Sequence, residues 1–578
     1  MKYLGIDIGG TWIKGTVASD EFWPINNSNN IELNTSKVKS PLKEDATVNE
    51  LIKSIKLLIK NLDVDDQEIN AIGISTAGIV SYDGSKVIKA ASHLNILKTN
   101  DWKIELEEAF DCKTIIINDA DAASIGCAEL SYLQGNKTIG IMPIGTGLGF
   151  SVWRNGRRWR PGKVLNLLGS IRTPAGLFDS IVSASKLAAS DSENNLLNVL
   201  TQEGTKAHFD QYKRNLVDII NSAAILYNLD EVVICGGLAD AAASISYYKT
   251  FEKDLQTLLN DVQPELDSAV KVIVAKEGNK LPLIGALTIA KGEAVARKTN
   301  VKLDFGKVQT EESYNKEICL EKLSTRDLLN ELWMAEQKAG DNLYKSLDRT
   351  AEAVDIISKR ISKGGRIIYV GAGTSGRVAA MDAVEISCTY GLEEDRILAL
   401  IAGGVADASI AIEVDFEEDA SAVPEIALMN INENDTVIGI SASGTAYYVK
   451  SALAFAKSRN AYTIIIQNED KQAPIPFYDI LIPLLSEQEV VSGSTRMKAG
   501  TSTKKLLNFI TSSVMIKQGK VKGTYMIDVA CLNIKLVKRA QTILKNLYGL
   551  PDKDALSLLE KSNMSLKKAI EILNNQKS

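Results

Sequence analysis

Histidine is almost missing from this sequence: His93 and His208 are the only two in 578 residues. A multi-histidine metal site is thereby excluded, and a Ser-His-Asp triad would have to use one of these two. Cysteine is scarce as well. Six residues (Cys112, Cys127, Cys235, Cys319, Cys388 and Cys531) lie far apart and form no CxxC pair. In so large a chain that spacing fits reduced thiols better than a disulfide scaffold. No apolar run is long enough for a transmembrane helix. Cationic residues are not in excess: 66 Lys plus Arg stand against 72 Asp plus Glu, a formal net charge of −6. With no long basic run, that balance argues against nucleic acid as a main partner. The amino terminus, MKYLGIDIGG, reaches Asp7 before a signal-peptide core could form. The expectation is a cytoplasmic protein with neither a membrane nor a nucleic-acid partner.

What is present is the balance of a soluble globular protein, 45% apolar and 24% charged. At roughly 100–200 residues per domain the length calls for several modules. Residues 1–297 alternate strand-like runs (KYLGIDI, AIGIS, TIIIND, TIGIMPI, EVVICGG) with helical patterns such as Asn49–Leu62 and Asn215–Leu229. That alternation indicates an α/β architecture. Residues 298–321 have many charges and no sustained period, as a linker would. A second α/β domain is expected over 322–545. It opens with a helical stretch, Thr325–Ser362, and has strands at Arg366–Val370, Thr436–Ile440, Tyr462–Gln467 and Asp479–Leu485. Residues 546–578 carry the pattern of short amphipathic helices, a small tail domain.

DIGGTWIKG (Asp7–Gly15) follows the first strand and sets Gly9, Gly10 and Thr11 in a tight turn. Glycines let backbone N–H groups approach phosphate oxygens, and Asp7 would lie near a nucleotide's Mg²⁺. A second turn, GTGLG (Gly145, Thr146, Gly147), and a third, GGLAD (Gly236, Gly237), follow two further strands. Between them IINDADAAS sets Asn118 and Asp119 at a strand end. Phosphoryl transfer needs a carboxylate to take the proton of the attacking hydroxyl. Taken alone, Asp119 would read as a helix cap. Among three glycine loops it reads as the base.

DIGGTWIKG, STAG (Ser75–Gly78), NDADAA and GTGLG together resemble the ROK family of ATP-dependent sugar kinases, over roughly residues 1–297. The resemblance implies an actin-like two-lobed fold, ATP with Mg²⁺, Lys14 at the phosphates, and Asn95 and Asn118 at the sugar. Family repressors carry a DNA-binding module ahead of the first loop, for which the seven residues here leave no room. The family's Glu-x-Gly-His sugar motif is altered. Leu167 and Ser170 stand at its Glu and His, and no cysteine lies between Cys127 and Cys235, so the family's zinc is not expected. Glucose is therefore an unsuitable substrate. RNGRRWRPGK (Arg154–Lys163) concentrates cations that form either a solvated hairpin or a partner for an acidic sugar substituent.

In the second half, GAGTSGR sets Gly373, Thr374 and Ser375 at a helix start, where free N–H groups and the dipole favour a phosphate. SASGT (Ser441, Ser443, Gly444) repeats the arrangement after another strand. GAGTSG is also compatible with a dinucleotide fingerprint, but its hydroxyls favour a terminal phosphate. Two such turns resemble the doubly wound parallel sheet of a sugar isomerase (SIS) domain. VVSGSTRMKAGTSTK (with Ser494, Thr495 and Lys498), LST (Leu323–Thr325) and LIAGG (Leu400–Gly404) resemble the N-acetylmuramic acid 6-phosphate etherases. These remove D-lactate from carbon 3 without a cofactor. The resemblance implies one carboxyl group to take the proton alpha to the open-chain aldehyde and another to protonate the departing lactate. One maps to Glu385. The other falls in IEVDFEEDAS, on Glu418 or its neighbour Glu417; without the resemblance this run is a solvated acidic helix face. Thr445 stands where the family has Arg.

A bifunctional enzyme is expected, in which an amino-sugar kinase feeds the etherase; the alternative is a phosphosugar-sensing regulator of a sugar kinase. The resemblance also implies a homodimer through the SIS half. Glu385 follows Ser375 by ten residues, about 15 Å along an unbroken helix, beyond a sugar's span from phosphate to carbon 3. Either the helix ends early or Glu385 serves a neighbouring subunit.

Overall fold

The computed structural model describes residues 1–22, 33–41, 46–81, 83–90, 97, 102–159, 168–173, 176–191, 193–201, 205–262, 270–298, 309–315, 318–393, 395–404, 420–469, 475–528, 531 and 534–575. Two units divide the chain: Met1–Thr299 with Ala420–Ile431, and Asn300–Asp419 with Asn432–Ser578.

The first unit holds two five-stranded sheets of one topology. In the first sheet the order is Thr35–Lys39, Trp12–Ser19, Lys2–Ile8, Ile69–Thr76, Lys113–Asn118. In the second it is Arg157–Trp159, Ser151–Arg154, Thr138–Pro143, Glu231–Cys235, Lys271–Val274. Each is an antiparallel meander of three strands followed by two parallel ones. This repeated pair of sheets is the actin-like arrangement. The central parallel strands are apolar along nearly their whole length because helices cover both faces. Register brings Asp7 beside Ser75 and Thr76 beside Asn118, so the candidate acids share one sheet edge.

The helix Lys280–Arg297 packs on this sheet and on the helix Asp119–Glu129. Backbones meet there: a Cβ on Gly285 would lie 2.0 Å from the Ala122 carbonyl oxygen. Gly285→Ala should therefore destabilise the first unit. Its helix-propensity gain of about 0.5–1 kcal/mol is smaller than the roughly 1–3 kcal/mol cost of overpacking. A urea midpoint at or above the wild-type value would contradict this close approach.

Residues 420–431, placed by sequence within the second domain, group instead with the first unit. Ser421 Oγ donates to buried Glu293 (2.6 Å), and the Arg158 N–H donates to the Leu428 carbonyl (3.0 Å).

The second unit has a five-stranded parallel sheet in the order Ile397–Ile401, Ile367–Gly371, Thr436–Ile440, Tyr462–Gln467, Ile480–Pro483. By chain position that is 2-1-3-4-5, so the switch in winding direction falls between Ile367–Gly371 and Thr436–Ile440. The expected linker is not free along its length. Buried Thr310 accepts from the Gly493 N–H (2.9 Å), and the Gln309 N–H donates to Glu469 (3.0 Å). At the C-terminal end, Asp552–Lys561 and Leu566–Asn575 share an apolar cluster with Ile534–Tyr548. The helical module thus reaches back before residue 546. Among the described residues no helix is long and apolar enough to cross a membrane.

Candidate active sites

In the first unit the three glycine turns converge on one cleft of about 410 Å³. Asp7, Gly9, Gly10, Lys14, Asn118, Asp119, Gly145, Thr146, Gly147, Gly236 and Gly237 all line it. Thr11 is exposed on its turn and is not among the lining residues. Asn95 and Leu167 lie outside the described residues. Gly236 adopts φ +83°, and a Cβ there would lie 2.8 Å from the Ile144 amide nitrogen, so no larger residue fits this turn.

Asn118, rather than Asp119, caps the helix Asp119–Glu129: its Oδ1 accepts from the Ala120 and Asp121 N–H groups at 3.0 and 3.3 Å. Its Nδ2 donates to Asp119 Oδ1 and to the Gly78 carbonyl, each at 3.0 Å. Asp119 is thereby left at the first helical position with its carboxylate on the cleft wall. Burial, then the charge of Asp7, raises its pKa to about 6, against a smaller opposing effect from the Ala120 N–H. Asp7 is held by Ser75 Oγ at 2.8 Å, and its other oxygen lies 3.9 Å from Lys14 Nζ. Lys14 in turn donates to Asn279 Oδ1 at 2.8 Å.

The altered sugar motif does reach the cleft, through Ser170. Two residues not singled out from the sequence stand with it. Asp179 accepts from the Leu148 N–H, and Lys89 projects from the ribbon strand Val87–Ala90. Neither carries a local signal; AGLFDS and VIKA become informative only once folded onto the cleft. Within the basic hairpin, Arg158 is buried in an ion pair with Asp121, a structural role.

In the second unit the helix Gly373–Tyr390 starts at Gly373, and Ala372 supplies no side-chain cap. Its first N–H groups are therefore open to an anion. Ser441–Thr445 leaves the neighbouring parallel strand, across from Gly371 in register with Ile440. Ser441 Oγ accepts from the Thr445 N–H (3.2 Å), and the Ser443 and Thr445 hydroxyls lie 2.6 Å apart. The third stretch closes on the first: a Cβ on Gly500 would lie 3.4 Å from Thr374 Cγ2 and 3.3 Å from the Thr495 carbonyl oxygen. Ser494 is half-buried on that loop. Lys498, assigned to phosphate from the sequence, is buried with its Nζ 5.4 Å from the centre of the Tyr314 ring. Burial lowers its pKa, while Glu489 accepts from the Lys498 and Ala499 N–H groups at 3.1 and 2.9 Å.

Glu385 lies on the unbroken helix Gly373–Tyr390. Of the two possibilities for its reach, an early helix end is removed. Its exposed carboxylate pairs with Lys504 Nζ at 2.6 Å, and Lys504 is also 3.8 Å from Asp382. Asp382 is fully buried and accepts from Tyr369 Oη at 2.9 Å; burial raises its pKa. Asp382 precedes Glu385 by three residues on the same helix, a spacing that could have signalled it, whereas Lys504 was not legible from sequence because it meets Glu385 only where two helices pack. Glu417 and Glu418 lie outside the described residues.

The ROK family matches residues 3–164 and 184–293. The gap between these stretches contains Leu167, Ser170 and Asp179. The glucokinase regulatory protein N-terminal SIS domain matches residues 349–457. An N-acetylmuramic acid 6-phosphate etherase of Lactobacillus gasseri is 38% identical over 271 residues, covering 47% of this chain and 91% of that protein. One from Clostridium beijerinckii is 38% identical over 269 residues, covering 46% and 88%. A ROK family glucokinase structure from Streptomyces griseus, in complex with glucose and AMPPNP, covers 50% of this chain and 99% of its own at 19% identity and TM-score 0.42.

Proposed function

We propose a two-step conversion for this chain, which belongs to the N-acetylmuramic acid 6-phosphate etherase family and carries a ROK sugar-kinase domain ahead of its etherase half. The first unit phosphorylates oxygen 6 of N-acetylmuramic acid. The second removes D-lactate from carbon 3 of that product, leaving N-acetylglucosamine 6-phosphate. The observation that carries the kinase step is Asp119: relieved of the cap by Asn118, on the cleft wall, and with a pKa raised to about 6.

ATP with Mg²⁺ fits the first cleft, where the glycine turns expose backbone and Asp7 supplies a carboxylate. When bound, ATP supplies the phosphoryl group and Mg²⁺ offsets its charge. Lys14 steadies the phosphates, and Asn118 fixes both the helix start and the Asp119 carboxylate. Asp119 takes the proton of the attacking hydroxyl. A free carboxylate would be a weaker base at neutral pH.

In the second unit, the Gly373–Ser375 N–H groups with Ser441, Ser443, Gly444, Ser494 and Thr495 hold the 6-phosphate. Their position supports this, since it is the carboxyl edge of a parallel sheet at its switch point. Glu385 is the proton donor to lactate, and Glu418 or Glu417 takes the proton alpha to the aldehyde. This step needs no cofactor. Because Glu385 lies about 15 Å along its helix from Ser375, it serves the site of a second subunit in a cytoplasmic homodimer. Exposed Val384 (66%), Met381 (45%) and Phe509 (47%) around it support such a face.

The SIS match over residues 349–457 favours a second reading, a phosphosugar-sensing regulator. Against it stands the Glu385–Lys504–Asp382 cluster, which a sensor does not need. Lactate release decides between them. Purified protein given unphosphorylated N-acetylmuramic acid should release D-lactate only with ATP and Mg²⁺, and should release it from the 6-phosphate without either. Release from the unphosphorylated sugar alone would refute the order of steps; none from the 6-phosphate would favour the sensor.

A further inference from the structure

Three carboxylates line the first cleft, Asp7, Asp119 and Asp179, against two lysines, Lys14 and Lys89. A neutral sugar is compatible with that balance, but an acidic one is repelled unless a cation meets it. Lys14 is already engaged by Asp7 and Asn279. Lys89 has no ion pair or hydrogen bond among the described residues. Of the described cations of the basic hairpin, Arg158 is buried against Asp121, and Arg154 and Arg157 are not among the residues that line the cleft.

Lys89 also stands at the correct end of the cleft. It pairs across a two-stranded ribbon with Ile79, and the neighbouring Gly78 carbonyl accepts from Asn118 Nδ2 (3.0 Å). The ribbon is therefore tied to the residue that positions Asp119. Lys14, by contrast, sits opposite Asp7 beside the first glycine turn. A flexible ammonium suits a carboxylate carried on an ether side arm, because its four-carbon stem can follow that arm.

We infer that Lys89 is a specificity-determining residue that receives the carboxylate of an acidic, ether-linked substituent on the sugar. This rests on the reading of the first unit as an amino-sugar kinase. Ser170, which stands at the family's His, lines the same cleft with an uncharged side chain.

The test uses the full-length protein and two substrates, N-acetylmuramic acid and its lactyl carboxamide, followed as ADP formation at saturating ATP. Wild type should prefer the acid in kcat/KM. Lys89→Met should reduce the acid-to-amide ratio by about 10-fold or more, the scale of one hydrogen bond to a charged group, chiefly through KM. Lys89→Arg should keep most of the preference. An unchanged ratio in Lys89→Met, or a loss shared by both substrates or expressed as a higher KM for ATP, overturns the lysine's role alone. Wild-type protein that forms ADP with neither substrate overturns both this inference and the reading beneath it.

Discussion

Asp119→Asn is expected to lower kcat for sugar phosphorylation by about 10²–10⁴-fold, the usual contribution of a positioned general base. Etherase activity on the 6-phosphate should be unaffected. The amide is isosteric, and the helix keeps its cap because Asn118 supplies it, so loss of activity cannot be ascribed to loss of the helix. The wild-type pH profile offers a second check. A carboxylate accepts a proton only when ionised, so kcat/KM for the kinase should fall as pH drops through about 6 and level off above it. That acidic limb should vanish in Asp119→Asn. Residual turnover within a few-fold of wild type, or an unchanged limb, would remove Asp119 from the base role.

Glu385→Ala should reduce lactate release by about 10²–10⁴-fold while ATP consumption continues and the 6-phosphate accumulates. A structural effect is not expected, because the side chain is 55% exposed and its ion pair with Lys504 is a surface one. The unbroken helix sharpens this prediction. If Glu385 serves a neighbouring subunit, mixing Glu385→Ala with a Ser375→Asp variant that blocks the phosphate loop should restore activity. Random reassortment of a two-fold dimer restores one site in half of the dimers, about a quarter of wild-type activity. Mixtures as inactive as their parents would refute subunit sharing and leave Glu385 to act within its own chain. Parallel substitution of Glu418 and Glu417 should identify the second glutamate, the one whose loss equals that of Glu385.

Much of this protein is determined by sequence alone. Strands such as KYLGIDI and TIIIND announce themselves because parallel strands covered on both faces must be apolar throughout. Glycine turns are equally legible, since φ +83° at Gly236 tolerates little else. Local periodicity and turn chemistry thus revealed two α/β domains and their glycine turns. Tertiary structure decided the rest, because charge pairing and burial depend on residues distant in sequence. Only packing engages Lys14 with Asn279 across 265 residues and brings Lys89 to the cleft with no ion pair among the described residues. Only packing buries Lys498, which reads as a phosphate-binding cation in the sequence, and Arg158, which lies in a run that reads there as a solvated hairpin or a partner for an acidic substituent. It also decided between two adjacent residues. Asn118 takes the cap, and Asp119 is left on the cleft wall, desolvated beside Asp7.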